Sequence, residues 1–172
     1  MKEELKSLTF KEILAYSIVA ESVSRKTYLN FADSAVGELQ KGRFKSLAKD
    51  EVMHSEELEK IYHKEFGKGD IEYPKGKDLP PHEEEIDVST AENMVQSLEW
   101  ARQNELNAYD IYKYLAEEHD MYRDIFEYLA LMEWGHYESL KAEMDFYKGE
   151  IEQNPEVKTM NPWDIGREEG KL

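Results

Sequence analysis

Two fifteen-residue stretches of the chain, FKSLAKDEVMHSEEL (Phe44 to Leu58) and FEYLALMEWGHYESL (Phe126 to Leu140), coincide at seven of fifteen positions: Phe, Leu, Ala, Glu, His, Glu and Leu. In the second stretch Phe126, Leu129, Ala130 and Leu140, continued by Met144, recur at helical spacing and share one apolar face. Glu133 and His136 fall in the middle of that face. Acidic and imidazole groups among apolar neighbours are costly unless something pairs with them. The segments upstream repeat as well: ESVSRKTYLNFAD (Glu21 to Asp33) aligns with ELNAYDIYKYLAE (Glu105 to Glu117) through Glu21/Glu105, Tyr28/Tyr112 and Ala32/Ala116. Glu21 precedes Glu51 by 30 residues and Glu105 precedes Glu133 by 28, so the chain reads as two related halves with the same polar intrusions.

Helix punctuation places four long helices around these motifs. Thr9 with Glu12 forms a capping-box signature, and apolar residues recur at three and four from Phe10 to about Ser34, before Gly37. A second helix is predicted from about Gln40 to Phe66, stopped by Gly67. Residues 67–88, GKGDIEYPKGKDLPPHEEEIDV, carry three of the five prolines and read as a long non-helical connection. Ser89 with Glu92 reads as a second capping box opening a helix from about Thr90 to Glu118, and Asp120 as the cap of a fourth from about Met121 to Lys148, ended by Gly149. Each helix is roughly 37 Å long. Short connections make helices 1 and 2, and 3 and 4, antiparallel neighbours, whereas the linker has the length to run along the whole assembly. The expected architecture is an all-α four-helix bundle over residues 1–150 with one long crossover between helices 2 and 3, followed by a tail, 151–172, extended or in a short helical turn outside the bundle.

Composition narrows the function. A chain of 172 residues has the size of one ordinary domain and buries about two-thirds of its unfolded surface. With a net charge of −16 and no basic face, it is not expected to bind nucleic acid. It contains no Cys, which excludes disulfides, thiolate metal sites and Cys nucleophiles from these residues. The N-terminal stretch is too charged for a signal peptide, and its longest apolar run is far too short to span a membrane, so a cytoplasmic protein is expected.

Glu51 and His54, like Glu133 and His136, lie three apart and project from nearly one helix face, a spacing that suits two ligands of one metal. Glu21 sits on the stripe Phe10, Leu14, Ile18, Tyr28, Ala32, and Glu105 on the stripe Leu98, Ala101, Tyr112, Ala116, so all six polar residues are expected to point inward near mid-helix. A single Glu-x-x-His is commonly a solvated stretch of helix. Here the two occurrences sit at equivalent places in a repeat, each with an inward Glu upstream. Four bare buried carboxylates would be strongly destabilising, but two divalent cations would bring the charge of four Glu and two neutral His to zero. Oxygen and imidazole donors suit Fe or Mn, and a Glu from each of two helices with Glu-x-x-His from each of the others is the ligand rule of carboxylate-bridged dinuclear centres in bundles.

These elements, Glu21, Glu51-x-x-His54, Glu105 and Glu133-x-x-His136, together with the linker between helices 2 and 3, resemble the ferritin-like superfamily and within it the rubrerythrin-like diiron proteins, over about residues 8 to 148. The resemblance implies two iron ions, with Mn or Zn as alternatives, bridged by Glu51 and Glu133. It further implies Glu21 and Glu105 as terminal ligands and one imidazole, His54 or His136, on each ion. The function it implies is reduction of hydrogen peroxide or dioxygen by a diiron oxidoreductase, with Glu51 and Glu133 at the reacting centre. Two features depart from the family: Ala108 stands where many rubrerythrins carry a second third-helix Glu, and there is no Cys for a rubredoxin-type iron. Electrons are therefore expected from a separate donor such as a rubredoxin. A homodimer is expected, and the long linker would permit helix exchange between subunits. The alternatives are a ferroxidase serving iron storage, a dimanganese catalase and a non-catalytic bundle holding structural metal.

Several other residues carry weaker expectations. Tyr28 and Tyr112 serve either as hydrogen-bond donors to ligand carboxylates or as core aromatics, and Asp50 either orients an imidazole or faces solvent. Glu56 and Glu138 are expected at the surface, and His63, His82 and His119 in solvent. Trp100 and Trp134 are expected in packing, and the HEEE run at 82–85 is a solvated charge cluster.

Overall fold

A computed structural model describes residues 6–74 and 86–165. His82 and the HEEE run lie outside the described residues. Four α-helices dominate: α1 (Phe10–Ser34), α2 (Glu38–Phe66), α3 (Ala91–Glu118) and α4 (Arg123–Gln153). Three short 3-10 turns accompany them, at Asp120–Tyr122, Pro155–Thr159 and Pro162–Asp164.

The start of α1 is the capping box read from the sequence: the Glu12 amide donates to Thr9 Oγ1 at 3.3 Å while the Thr9 amide donates to Glu12 Oε2 at 2.8 Å. Helix α2 ends at Gly67, whose φ of 85° lies in the region that favours glycine. Two other boundaries differ from expectation. At α3 the capping side chain is Thr90, which accepts from the Asn93 amide at 3.2 Å, while Asp87 Oδ1 takes the Ser89 amide at 2.8 Å and holds that residue outside the helix. At the fourth helix Asp120 opens a 3-10 turn instead of capping, and α4 starts at Arg123 and runs through Gly149 to Gln153. The described part of the tail beyond Gln153 forms two short 3-10 turns packed against the outside of the bundle. Val157 and Trp163 are buried, the Trp163 ring lies edge-on to Phe44, and the Ala91 amide donates to the Met160 carbonyl at 2.9 Å.

Helix α1 packs along α2 and α3 along α4, giving two hairpins joined chiefly by α1 against α3. Side-chain pairs fix the relative directions. Tyr28 meets Glu105 while Tyr112 meets Glu21, and His54 meets Glu133 while His136 meets Glu51. In each case a later residue on one helix faces an earlier one on the other, so α1 and α3 are antiparallel, as are α2 and α4. Both hairpins being antiparallel too, α2 and α3 run in the same direction. Gly67 and Thr90, the residues that end α2 and open α3, therefore lie at opposite ends of the bundle, roughly a helix length of 40 Å apart. This is the all-α ferritin-like bundle with a long crossover.

The core is divided in two. One apolar cluster is centred on Leu14, Leu58, Ile111 and Phe126, the other on Phe31, Leu98, Leu140 and Met144. At about 1.5–3 kcal/mol for each large side chain removed from water, these clusters hold the helices together. Between them lies a polar layer contributed by all four helices.

Candidate metal centre

All six sequence-predicted ligands form that layer: Glu21, Glu51, His54, Glu105, Glu133 and His136 are each at most 4% exposed. Their donor atoms fall into two groups that share Glu51 and Glu133, namely Glu21, Glu51, His54 and Glu133, and Glu51, Glu105, Glu133 and His136. Around His54 Nδ1 stand Glu133 Oε1 at 2.7 Å, Glu51 Oε2 at 3.2 Å and Glu21 Oε2 at 3.8 Å. Around His136 Nδ1 stand Glu51 Oε1 at 3.0 Å, Glu105 Oε2 at 3.2 Å and Glu133 Oε2 at 3.4 Å. Glu51 and Glu133 thus each turn one oxygen toward either imidazole. Glu21 stays with His54 and Glu105 with His136. The two rings face each other with centroids 5.5 Å apart.

The equal spacing within the repeat produces this arrangement. In an antiparallel pair, a Glu followed three residues later by His on both helices sets each Glu opposite the partner's His. The same rule acts on α1 and α3 with a spacing of seven. Tyr28 donates to Glu105 Oε1 at 2.5 Å, and Tyr112 donates to Glu21 Oε1. Of the two roles left open for these tyrosines, the structure shows the hydrogen-bonding one, each crossing to the opposite helix. Burial first, and the adjacent carboxylate second, push both phenols well above their ordinary range, so both are protonated donors.

Several donor atoms in the layer have no hydrogen-bond partner among the described residues. Both oxygens of Glu51, both oxygens of Glu133, both nitrogens of His54 and Nε2 of His136 are buried in this way. Contacts within 4 Å surround them, but most lack hydrogen-bonding direction; only Glu105 Oε2 meets His136 Nδ1 in that geometry. Atoms crowded this closely, lone pairs converging and hydrogen bonds unmade, fit cations at the two points where they converge. The protonation pattern agrees. Burial, reinforced by Glu21 and Glu105, pushes the Glu133 carboxyl up to about 8, and burial with Glu133 and Glu105 raises Glu51 well above its ordinary range. For His54 and His136 burial acts downward, but the surrounding carboxylates outweigh it and hold both imidazoles protonated. Glu105 is held below its usual range: burial alone would raise it, but the neighbouring His136 imidazole, with Glu133 and the Tyr28 hydroxyl beside it, outweighs that.

Asp50 places Oδ2 3.6 Å from His136 Nε2, on the ring edge away from the cluster, and is partly exposed. This fits the orienting role better than full solvation. The repeat-equivalent position beside Glu133 is Met132, so His54 has no such carboxylate. Glu56 and Glu138 are exposed, whereas His63 is half-buried rather than solvated and sets Nδ1 3.2 Å from the Gly67 carbonyl. His119 departs from expectation: it is half-buried and stacks on Phe10 with centroids 3.8 Å apart. Trp100 packs against the second core cluster. Trp134 is 41% exposed and stacks on Tyr137, which accepts a hydrogen bond from Arg102 at 2.9 Å. Arg102 also pairs with Glu99, three residues earlier, at 2.5 Å, and no sequence signal marked its second contact, with Tyr137, which depends on how α3 packs on α4.

The sequence profile of the rubrerythrin family matches residues 12–144, a span that contains every one of these ligands. The chain belongs to the rubrerythrin family. Among solved structures, this rubrerythrin-family chain is similar to a hypothetical protein from Pyrococcus furiosus, with a TM-score of 0.77 and 27% identity over 86% of this chain and 95% of that one. No curated protein matches it significantly. Among the described residues, no helix is long and apolar enough to cross a membrane.

Proposed function

We propose that this rubrerythrin-family chain is a diiron oxidoreductase that reduces hydrogen peroxide or dioxygen with electrons from a separate carrier. The observation that carries this reading is the division of Glu51 and Glu133, each with one oxygen beside His54 and the other beside His136. Glu21, Glu51, His54 and Glu133 would hold one ion, and Glu105, Glu133, His136 and Glu51 the other. Bound there, two ferrous ions supply the two electrons that convert peroxide and two protons into two waters.

The protein's own groups do the rest. Apolar clusters on both sides keep bulk water away, which strengthens electrostatic interactions within the layer. Tyr28 and Tyr112 hold one oxygen each of Glu105 and Glu21, orienting the other oxygen toward the cluster, and their phenolic protons stand beside the carboxylates. Asp50, with Oδ2 3.6 Å from His136 Nε2, is placed to favour one turn of that ring through charge.

Elemental analysis of purified protein combined with stopped-flow mixing of the anaerobic Fe(II)-loaded chain tests the proposal. The expected result is two irons per chain, oxidation by peroxide or dioxygen within seconds, and repeated turnover once a reductant is supplied. A redox-silent site with zinc would overturn it in favour of structural metal. Iron accumulation far beyond two per chain in a shell-sized assembly would favour storage.

A further inference from the structure

A cavity of about 20 Å³ lies in the seam between α1 and α3. Its inner wall includes Glu21 and Tyr112, a candidate ligand and the phenol that holds it, and Ser17. Ser17 is 2% exposed, and its Oγ has no hydrogen-bond partner among the described residues. A buried hydroxyl left unpaired is destabilising, so one that lines a cavity points to a polar molecule beside it. The outer rim is made of Ala20 and Ser24 on α1 and Asn107 and Ala108 on α3, all partly exposed. Small side chains on both helices hold the seam open. The volume slightly exceeds the ~10–15 Å³ that one water requires and leaves no room for a branched organic group. Three larger surface grooves, in contrast, are lined by none of the six ligands.

Building on the diiron reading above, we infer that this seam is the port by which hydrogen peroxide reaches the Glu21 side of the centre, with Ser17 hydrogen-bonding it on the way. The lining selects by size and by polarity. Hydrogen peroxide is small and both donates and accepts hydrogen bonds, which suits the Ser17 hydroxyl. Alkyl hydroperoxides are too large for the seam. Dioxygen is small enough but gains little from a hydroxyl.

Three measurements test the port. In the metal-free protein, magnetisation transfer from water to the Ala20 and Ala108 methyl groups is expected in NMR spectra; its absence in the wild-type chain overturns the proposal whether or not metal binds. In the Co(II)-loaded protein, azide added as a small probe is expected to perturb the visible spectrum at least tenfold more slowly in Ala108→Phe than in wild type, with two cobalt ions retained in both. An unchanged azide rate in a fully loaded Ala108→Phe overturns it. In the Fe(II)-loaded protein, hydrogen peroxide is expected to react at least a hundredfold faster than tert-butyl hydroperoxide, and Ser17→Ala to slow hydrogen peroxide about three- to tenfold while leaving dioxygen unchanged. Equal rates for the two peroxides, or a Ser17→Ala effect shared by dioxygen, overturn it even where the plugged variant does not fold. Failure to bind two metals at all is a failure of the diiron reading instead, and the water measurement then judges the cavity alone.

Discussion

In the absence of metal the surrounding carboxylates hold His54 and His136 protonated, and burial pushes Glu51 and Glu133 toward the protonated form, so bound metal would have up to four protons to displace. Two divalent cations carry the same charge. Loading the site at pH 6.5 should therefore release close to four protons per chain, falling above pH 8 as Glu133, at about 8, ionises unaided. Calorimetry in buffers of different ionisation enthalpy measures this number, and release of only one or two would show that the imidazoles enter uncharged. The bridging and terminal roles separate by stoichiometry. Glu51→Ala and Glu133→Ala each remove a donor from both groups and should abolish paired binding, whereas Glu21→Ala removes one from the His54 group alone and should leave one metal beside His136. Glu56→Ala, at an exposed position, should retain two. All six residues of the buried polar layer were legible in the sequence as candidate ligands because a charged residue in an apolar stripe stands out. The crosswise reach of Tyr28 and Tyr112 was less so, since it depends on the register of two helices far apart in sequence, although their shared seven-residue offset contains that register.

At the scale of the helices, the sequence placed all four and misjudged the punctuation of two. Ser89 and Thr90 are both competent caps, and a tertiary detail decides between them: Asp87 captures the Ser89 amide, so the helix starts one residue later. Thr90→Ala should cost about 1 kcal/mol. Gly149 is a stop signal only where the backbone turns left-handed, and here Gly67 alone among the described residues has a positive φ. Helix α4 continues past Gly149 because Tyr147 ahead of it is buried and the turn at Pro155 takes over the chain reversal. Gly149→Ala should therefore stabilise by about 0.5–1 kcal/mol, there being nothing within 4 Å of the added methyl, whereas a true helix-ending glycine would show a loss. Urea denaturation of the metal-free variants distinguishes the two signs.

For the whole molecule, the long crossover leaves α1–α2 and α3–α4 as separate hairpins, and each metal group draws on both. Glu21, Glu51 and His54 come from the first hairpin and Glu133 from the second; Glu105, Glu133 and His136 come from the second and Glu51 from the first. Metal should thus act as a clamp between halves that also meet through the two apolar clusters, α1 against α3, and the Arg43–Glu143 ion pair at 2.7 Å, with Trp163 of the tail packed on Phe44. The tail's part in that clamp was not legible in the sequence, because Trp163 has no counterpart in the repeat. Stability and pH are linked with a definite sign. Glu133, raised to about 8, contributes stability to the metal-free fold that is complete below its unfolded value and lost as pH rises through about 8. Both imidazoles, raised as well, contribute stability lost as pH rises beyond the unfolded histidine range. The Tm of the metal-free protein should therefore fall from pH 5 to pH 8.5. Metal-loaded protein should show the opposite slope, because ligands freed of protons bind cations more tightly and binding to the native state alone adds RT ln(1 + [L]/Kd), about 4 kcal/mol at a thousandfold excess over Kd. Scanning calorimetry with Co(II) or chelator across that range reads both slopes, and parallel curves would mean that protons and metal do not compete for the same six side chains.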